Sequence, residues 1–280
     1  MPDTLPVVVI QPTRGLAALQ LRAVWEYREL LFFLVWRDIK VRYKQTALGV
    51  AWIILQPLLS MVVFSLLFGG LLKVPSGGVP YPIFAYAALL PWNYFAGSLT
   101  RSSQSLVGSA HLITKVYFPR LIIPISGVLS GLVDFGVAFV VLIVLMAFYR
   151  IVPTAAVLLL PGLLLLAMLT SLGFGLWLAA LNVRYRDVQY LVPFLVQIWM
   201  YLTPVIYGTT LIPERFRWLL ALNPMTGVVE GFRWALLGNR LADAQSPGSL
   251  FAVSIAIALV VLAGGAVFFR STERTFADVI

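Results

Sequence analysis

Cysteine is absent from this 280-residue chain, and histidine occurs once. Those two absences remove thiolate catalysis, disulfide staples and most zinc or iron–sulfur sites, whose ligands come from these side chains. Charge is scarce as well. Only 11% of residues are Asp, Glu, Lys or Arg and 61% are hydrophobic, against about 25% charged in soluble domains. A chain so poor in polar side chains cannot cover its own surface in water, and lipid is its natural solvent. No G-x-x-x-x-G-K-[ST] loop is present to hold phosphates, which removes ATP binding by that route. The start, MPDTLPVVVIQPTRG, lacks a basic segment ahead of an apolar run, so no signal peptide is expected.

The most informative absence is local. Residues 45–72, 74–100, 151–183, 188–213 and 244–269 contain no charged side chain, and residues 121–149 contain one, Asp134. Each stretch exceeds the roughly 20 apolar residues that cross a bilayer as a helix. The helix is the form that satisfies its own backbone groups in hydrocarbon. The pattern predicts an all-α polytopic membrane protein, a single domain over residues 1–280. Its core of six spans lies within 51–269, near Ala51–Leu72, Ile83–Val107, Leu121–Tyr149, Ala155–Leu181, Val188–Tyr207 and Leu250–Phe269.

The basic residues that give the net charge of +9 are sorted by side. With the N-terminus cytoplasmic, fourteen Lys and Arg fall inside and six outside. That asymmetry places both termini in the cytoplasm. Anionic lipid headgroups, rather than nucleic acid, are then the simpler partner for the charge.

Three segments between spans have their own organisation. Leu21–Lys44 places Arg22, Glu26, Glu29, Arg37, Lys40 and Lys44 in one helical sector. Phe33 interrupts that sector, and Arg28, Asp38 and Arg42 lie off it. This reads as an interface helix in the cytoplasmic headgroup layer, with Trp25, Trp36 and Tyr43 as anchors; a cytoplasmic extension of the first span is the other reading. The loop Gly108–Arg120 has room for two helical turns before Pro119, with His111, Lys115 and Tyr117 as its polar-capable side chains. On composition it is a loop with one amphipathic turn. Gly208–Gly248 is too long for a hairpin and too aromatic for disorder. It reads as a re-entrant or interfacial helix pair on the periplasmic side, with Asn223–Pro224 as N-cap and first helical residue. Trp218, Phe232 and Trp234 are expected at headgroup depth, and Glu230 with Arg233 as a pair on an exposed helical face.

No catalytic constellation or metal-ligand set is legible. Ion-coupled carriers hold several intramembrane ionisable groups, whereas here Asp134 alone lies deep in a span. It either pairs with a polar group on a neighbouring helix or lines a wet cavity. Aromatic residues gather inside or at the outer ends of spans. Most of them serve packing or face lipid, and the remainder are candidates to line a passage, because sugar rings stack loosely on aromatic faces.

Three runs, PWNYFAGSLTRSSQSLVGSAHLITKVYFPRLIIP (Pro91–Pro124), NVRYRDVQYLVPFLVQIWMYLTPVIY (Asn182–Tyr207) and ALNPMTGVVEGFRWALLG (Ala221–Gly238), closely resemble type-2 ABC exporter permeases of the polysaccharide class. These are the Wzm-type O-antigen subunits, with relatives for capsule and teichoic acid. The resemblance extends from about Leu16 over nearly the whole chain. It implies a homodimer bound to two separate ATPase subunits, in the bacterial inner membrane, exporting a lipid-linked glycan. ATP and Mg would be held by the partner alone. It implies ATPase coupling through His111, Leu112, Lys115 and Tyr117, helped by Arg184 and Arg186 and by the interface helix with Trp25, Glu26, Trp36 and Arg37. Trp92, Tyr94, Trp199, Tyr201, Tyr207 and Asp134 are the channel candidates. An exporter for another cargo and a membrane enzyme acting on lipid-linked sugars are the competing readings.

Overall fold

A computed structural model describes residues 21–44, 49, 51–238, 240–241 and 248–276. The N-terminal segment and residues 242–247, Asp243 among them, lie outside the described residues. Every regular element among them is helical. The order is α1 Leu21–Glu26, α2 Arg28–Lys44, α3 Ala51–Phe64 (continued by a π-helical stretch Ser65–Leu71), α4 Tyr81–Gly108, α5 Ala110–Lys115, α6 Ile122–Leu129, α7 Gly131–Phe148, α8 Leu160–Arg184, α9 Val188–Leu202, α10 Glu214–Ala221, α11 Pro224–Leu237 and α12 Gly248–Thr272.

Among the described residues, four stretches are long and apolar enough to cross a bilayer: Ala51–Leu71, Ile122–Phe148, Ala155–Arg184 and Phe251–Thr275. Helix α4 is longer than any single helix of these at 28 residues, but its C-terminal half carries the polar run RSSQS. Helix α9 is apolar but stops at 15 residues. The chain leaves it at Thr203, which is extended, so Thr203–Tyr207 does not continue the helix expected over Val188–Tyr207.

The bundle is organised around α4. Its first half, Ile83–Leu90, is buried on every side, the signature of a helix with neighbours all round. Helix α8 packs most extensively against α4 and α12. In lipid, water cannot drive such packing, so close approach of small residues does. A Cβ on Gly173 would stand 2.8 Å from the Leu262 backbone nitrogen. Gly173→Ala therefore forces α8 and α12 apart.

Helix ends sort into two sets. At one end, Leu34, Leu106, Ile113, Phe118, Ile122, Val183 and Phe269 form one buried cluster, joining α2, α4, α5, α6, α8 and α12. At the other, the Tyr81 hydroxyl donates to the Ile206 carbonyl (2.6 Å) and the Thr154 hydroxyl to the Ala235 carbonyl (3.0 Å). Helix α11 begins as the Asn-Pro pair predicts: the Asn223 side-chain oxygen accepts from the Met225 N–H at 3.1 Å.

Two expectations for α11 need correction. Arg233 and Glu230 do pair at 3.0 Å, but Arg233 is 1% exposed, because α11 is wedged between α4, α8 and α12 rather than lying on a surface. Phe232 is likewise fully buried and packs edge-on against Phe135. Trp218 on α10 is exposed, and Trp234 is partly buried.

Candidate functional site: an exposed knob and a cationic cleft

Helix α5 is a knob held by two pegs. Ile113 and Phe118 are buried in the cluster shared with α2, α6, α8 and α12, and Leu112 packs against it. The chain turns extended at Val116, and Pro119 blocks any return to helix. His111, Thr114, Lys115 and Val116 are left outside, with Tyr117 77% exposed. Arg184, Tyr185, Arg186 and Asp187 are exposed in the α8–α9 connection. The end of α8 is tied to α4 by buried Asn182, whose amide donates to the Ser103 carbonyl at 3.1 Å. The knob and the arginine loop therefore emerge at the same end of the bundle. Arg120, just past the knob, donates to the Glu273 carbonyl, and Glu273 pairs with Arg270.

Beside the knob, α2 lies against α6. Leu34 is its buried anchor, while Phe32, Phe33 and Trp36 are exposed. The Lys40 ammonium sits 5.3 Å from the Trp36 ring centroid. Trp25 on α1 is exposed with Arg28 over its ring, and Glu26 is exposed nearby. Of the three charges that spoil the amphipathic pattern, Arg28 stays exposed, while Asp38 and Arg42 turn toward neighbouring helices. Asp38 accepts from Arg37 at 2.8 Å and from the Ser126 hydroxyl at 3.5 Å. Arg42 reaches Asp134 at 2.5 Å and the Ser130 hydroxyl at 3.3 Å.

Asp134 is thus the meeting point of three elements. It lies in the first turn of α7, where the helix dipole favours a carboxylate. Besides Arg42 it accepts from the Tyr43 hydroxyl, and Arg101 of α4 stands 3.5 Å away. Arg101 is about two turns inside α4 rather than at its end, and its Nε donates to the Gly127 carbonyl at 2.9 Å. Gly131 makes room for it, since a Cβ there would collide with the guanidinium. Burial pushes the Tyr43 hydroxyl up from 10.0 to about 12, and its bond to Asp134 adds to the shift.

Arg42 and Arg101 border a cleft of about 480 Å³ that is also lined by Arg37 and Asp38 of α2, by Gln104 and Ser105 of α4, and by Ser126 and Ile123 of α6. Sequence reasoning found Asp134 but missed Arg42 and Arg101 as its partners. The signal was present: a lone carboxylate in a span requires a cation, and Arg42 lies off the polar sector of its helix.

None of the aromatic candidates lines this cleft. Trp92 is 2% exposed and packs on Phe95, and Tyr94 is buried with its hydroxyl donating to the Val128 carbonyl at 3.2 Å. Trp199 stands edge-on to Phe95 and Phe174 and donates to Asn223 at 3.0 Å. Tyr207 folds back onto the Tyr201 carbonyl at 3.1 Å, which leaves Tyr201 exposed at the end of α9. Tyr190, Phe194 and Tyr201 form an exposed aromatic series along α9.

A helical bundle with four apolar stretches of hydrocarbon length among the described residues has the build of a multi-pass membrane protein. The chain belongs to the ABC-2 type transporter family, whose model matches residues 29–237. It is 35% identical to the O-antigen export system permease protein RfbA of Myxococcus xanthus, over 92% of this chain and 98% of that protein. It is 28% identical to a protein of the same name from Klebsiella pneumoniae, over 90% and 95% of the two chains. Identity to the polysialic acid transport protein KpsM of Escherichia coli is 23%, over 85% and 91%.

Proposed function

We propose that the chain is the permease subunit of an ATP-driven exporter that moves a lipid-linked polysaccharide across the bacterial inner membrane. Full-length similarity to O-antigen and capsule-type export permeases supports the cargo class. Two copies face one another with the glycan between them, and two ATPase subunits, carrying ATP and Mg, sit beneath. The chain crosses the bilayer six times, with both termini cytoplasmic. Helix α4 adds a fifth crossing: its 28 residues span about 42 Å at 1.5 Å per residue, ample for about 30 Å of hydrocarbon. Helix α9 adds the sixth, completed by the turn segment Thr203–Tyr207. Helices α10 and α11 form the re-entrant pair on the outer side.

The observation that carries the coupling assignment is the α5 knob. Its pegs, Ile113 and Phe118, join it to α2, α4, α6, α8 and α12 at once. A push on exposed His111, Lys115 or Tyr117 is therefore delivered to the whole inner end. Arg184 and Arg186 offer the same partner a second contact. The exposed α9 series ending at Tyr201 is the surface best placed for loose stacking on sugar rings, with Tyr207 at its outer end. Trp199, partly buried on the same helix, stands edge-on to Phe95 of α4, which packs on buried Trp92. Lys115→Ala with Tyr117→Ala should abolish export while ATP hydrolysis by the assembled complex persists. Normal export at normal hydrolysis by the double variant would remove the coupling role.

A further inference from the structure

We infer that the cleft between α2, the C-terminal turns of α4 and α6 binds the phosphate or diphosphate of an anionic lipid headgroup. Three guanidiniums, of Arg37, Arg42 and Arg101, border it. The carboxylates within reach are Asp38, bonded to Arg37, and Asp134, shared by Arg42 and Arg101. Three cations against two anions leave one positive charge for an incoming ligand.

The donors are also under-used. A guanidinium has about five N–H groups. Arg42 donates to Asp134 and Ser130 and lies over the Tyr43 ring, and Arg101 donates to Gly127 and Ser98. The Arg101 Nη1 reaches Asp134 at 3.5 Å as an ion pair, longer than a good hydrogen bond. Planar forks with spare N–H groups are the preferred holders of phosphate oxygens. Gln104 and Ser109 add neutral donors at the rim.

The rest of the wall decides between a bare anion and a lipid headgroup. Val41, which is exposed, and Ile123, which is buried, present apolar surface next to the arginines. The outer face of α2 carries Phe32, Phe33 and Trp36 beside Lys40, the composition of a segment lying at a headgroup layer. A cleft of about 480 Å³ falls in the range of about 300–1,000 Å³ typical of ligand sites. Asp134 then acts as a resident counter-anion that keeps Arg42 and Arg101 aimed at the cleft while no ligand is bound. This deepens the export reading by naming the part of the lipid-linked cargo that the permease would hold, and it rests on that reading only for the source of the phosphate.

The chain has no cysteine, so Gln104→Cys gives a single labelling site on the cleft wall. In the full-length protein in phosphatidylcholine nanodiscs, the maleimide labelling rate is followed with farnesyl diphosphate, farnesol or inorganic pyrophosphate. Farnesyl diphosphate should slow labelling and farnesol should not. Pyrophosphate acting as strongly as farnesyl diphosphate would retain phosphate recognition and overturn the lipid part. Added Arg42→Gln should weaken protection about tenfold, the loss expected for a charge-assisted bond. Arg37→Gln, whose guanidinium bonds its neighbour Asp38, should weaken it about threefold without disturbing the Asp134 network. The site is overturned if neither phosphate compound protects, if farnesol protects equally, or if protection survives both substitutions. No ATPase or glycan is present, so failure here leaves the export reading standing, and loss of export leaves this site standing.

Discussion

Arginine holds both ends of this molecule together, in opposite manners. At the end proposed to face outward Arg233 is fully enclosed. It donates to the carbonyls of Phe84 (3.3 Å), Pro204 (2.5 Å), Val205 (2.5 Å) and Tyr207 (3.0 Å), pairs with Glu230 at 3.0 Å, and lies 3.8 Å from the Phe84 ring centroid. The chain segment that follows α9 is thereby locked to α4 and α11. At the inner end Arg42 and Arg101 are each about a quarter exposed, share one carboxylate and keep donors in hand. A saturated guanidinium fixes a shape; an unsaturated one can exchange partners. The contrast teaches that the Arg233 end is a tightly bonded frame, while the end where α2 and α5 dock, which we propose faces inward, keeps donors that can exchange partners.

The largest expected effect lies at the outer end. Arg233→Met strips a buried pair of its cation and orphans four carbonyls, a loss of about 3–5 kcal/mol. It should show as failure to recover monodisperse protein. Arg233→Lys should not rescue it, since an ammonium cannot reproduce the planar fork. A stable, monodisperse Arg233→Met protein would break the contrast at once.

Asp134→Asn comes next. It leaves Arg42 and Arg101 without their shared anion at a cost of about 1–3 kcal/mol, felt locally. Hydrogen exchange should quicken in Arg28–Lys44 and stay unchanged in Pro224–Leu237. Equal quickening in both would mean that the two ends are one rigid unit.

The smallest effect is a pH dependence. With its hydroxyl raised from 10.0 to about 12 by burial and the Asp134 bond, folded Tyr43 keeps its proton where the unfolded residue loses it. Its contribution to docking is full below pH 10 and is lost as pH rises through about 12. Trp36 fluorescence, exposed on the same helix, should report α2 loosening in that window. Tyr43→Phe should flatten the response.

How much of this could be read before any coordinates existed depended on the kind of signal. Charge-free runs located the apolar helices because membrane crossing is a property of one segment at a time. Asn223–Pro224 announced α11 for the same local reason. The Arg233 clamp was invisible, since its acceptors come from residues 84 and 204–207, which only the fold brings near. The pairing of Arg233 with Glu230 was legible from spacing, yet burial reversed its meaning. Among the expected site residues, His111, Lys115, Tyr117, Arg184 and Arg186 lie exposed at one end. Trp92 and Tyr94 are aromatic in the right stretch but sit in the interior, because composition does not say which face of a central helix is covered. The irregular charges of α2 held the most unread information: Asp38 and Arg42 broke the amphipathic pattern because their partners are in α6 and α7.

The account rests most directly on where the motor protein touches. With no cysteine in the chain, Tyr117→Cys on the knob and Trp218→Cys on the exposed outer helix can each carry a photoreactive crosslinker in the assembled exporter. The account predicts that Tyr117→Cys captures the ATPase subunit, in a yield that changes when ATP is trapped, and that Trp218→Cys never does. Absence of any ATPase adduct at Tyr117→Cys, or an adduct at Trp218→Cys, would contradict it.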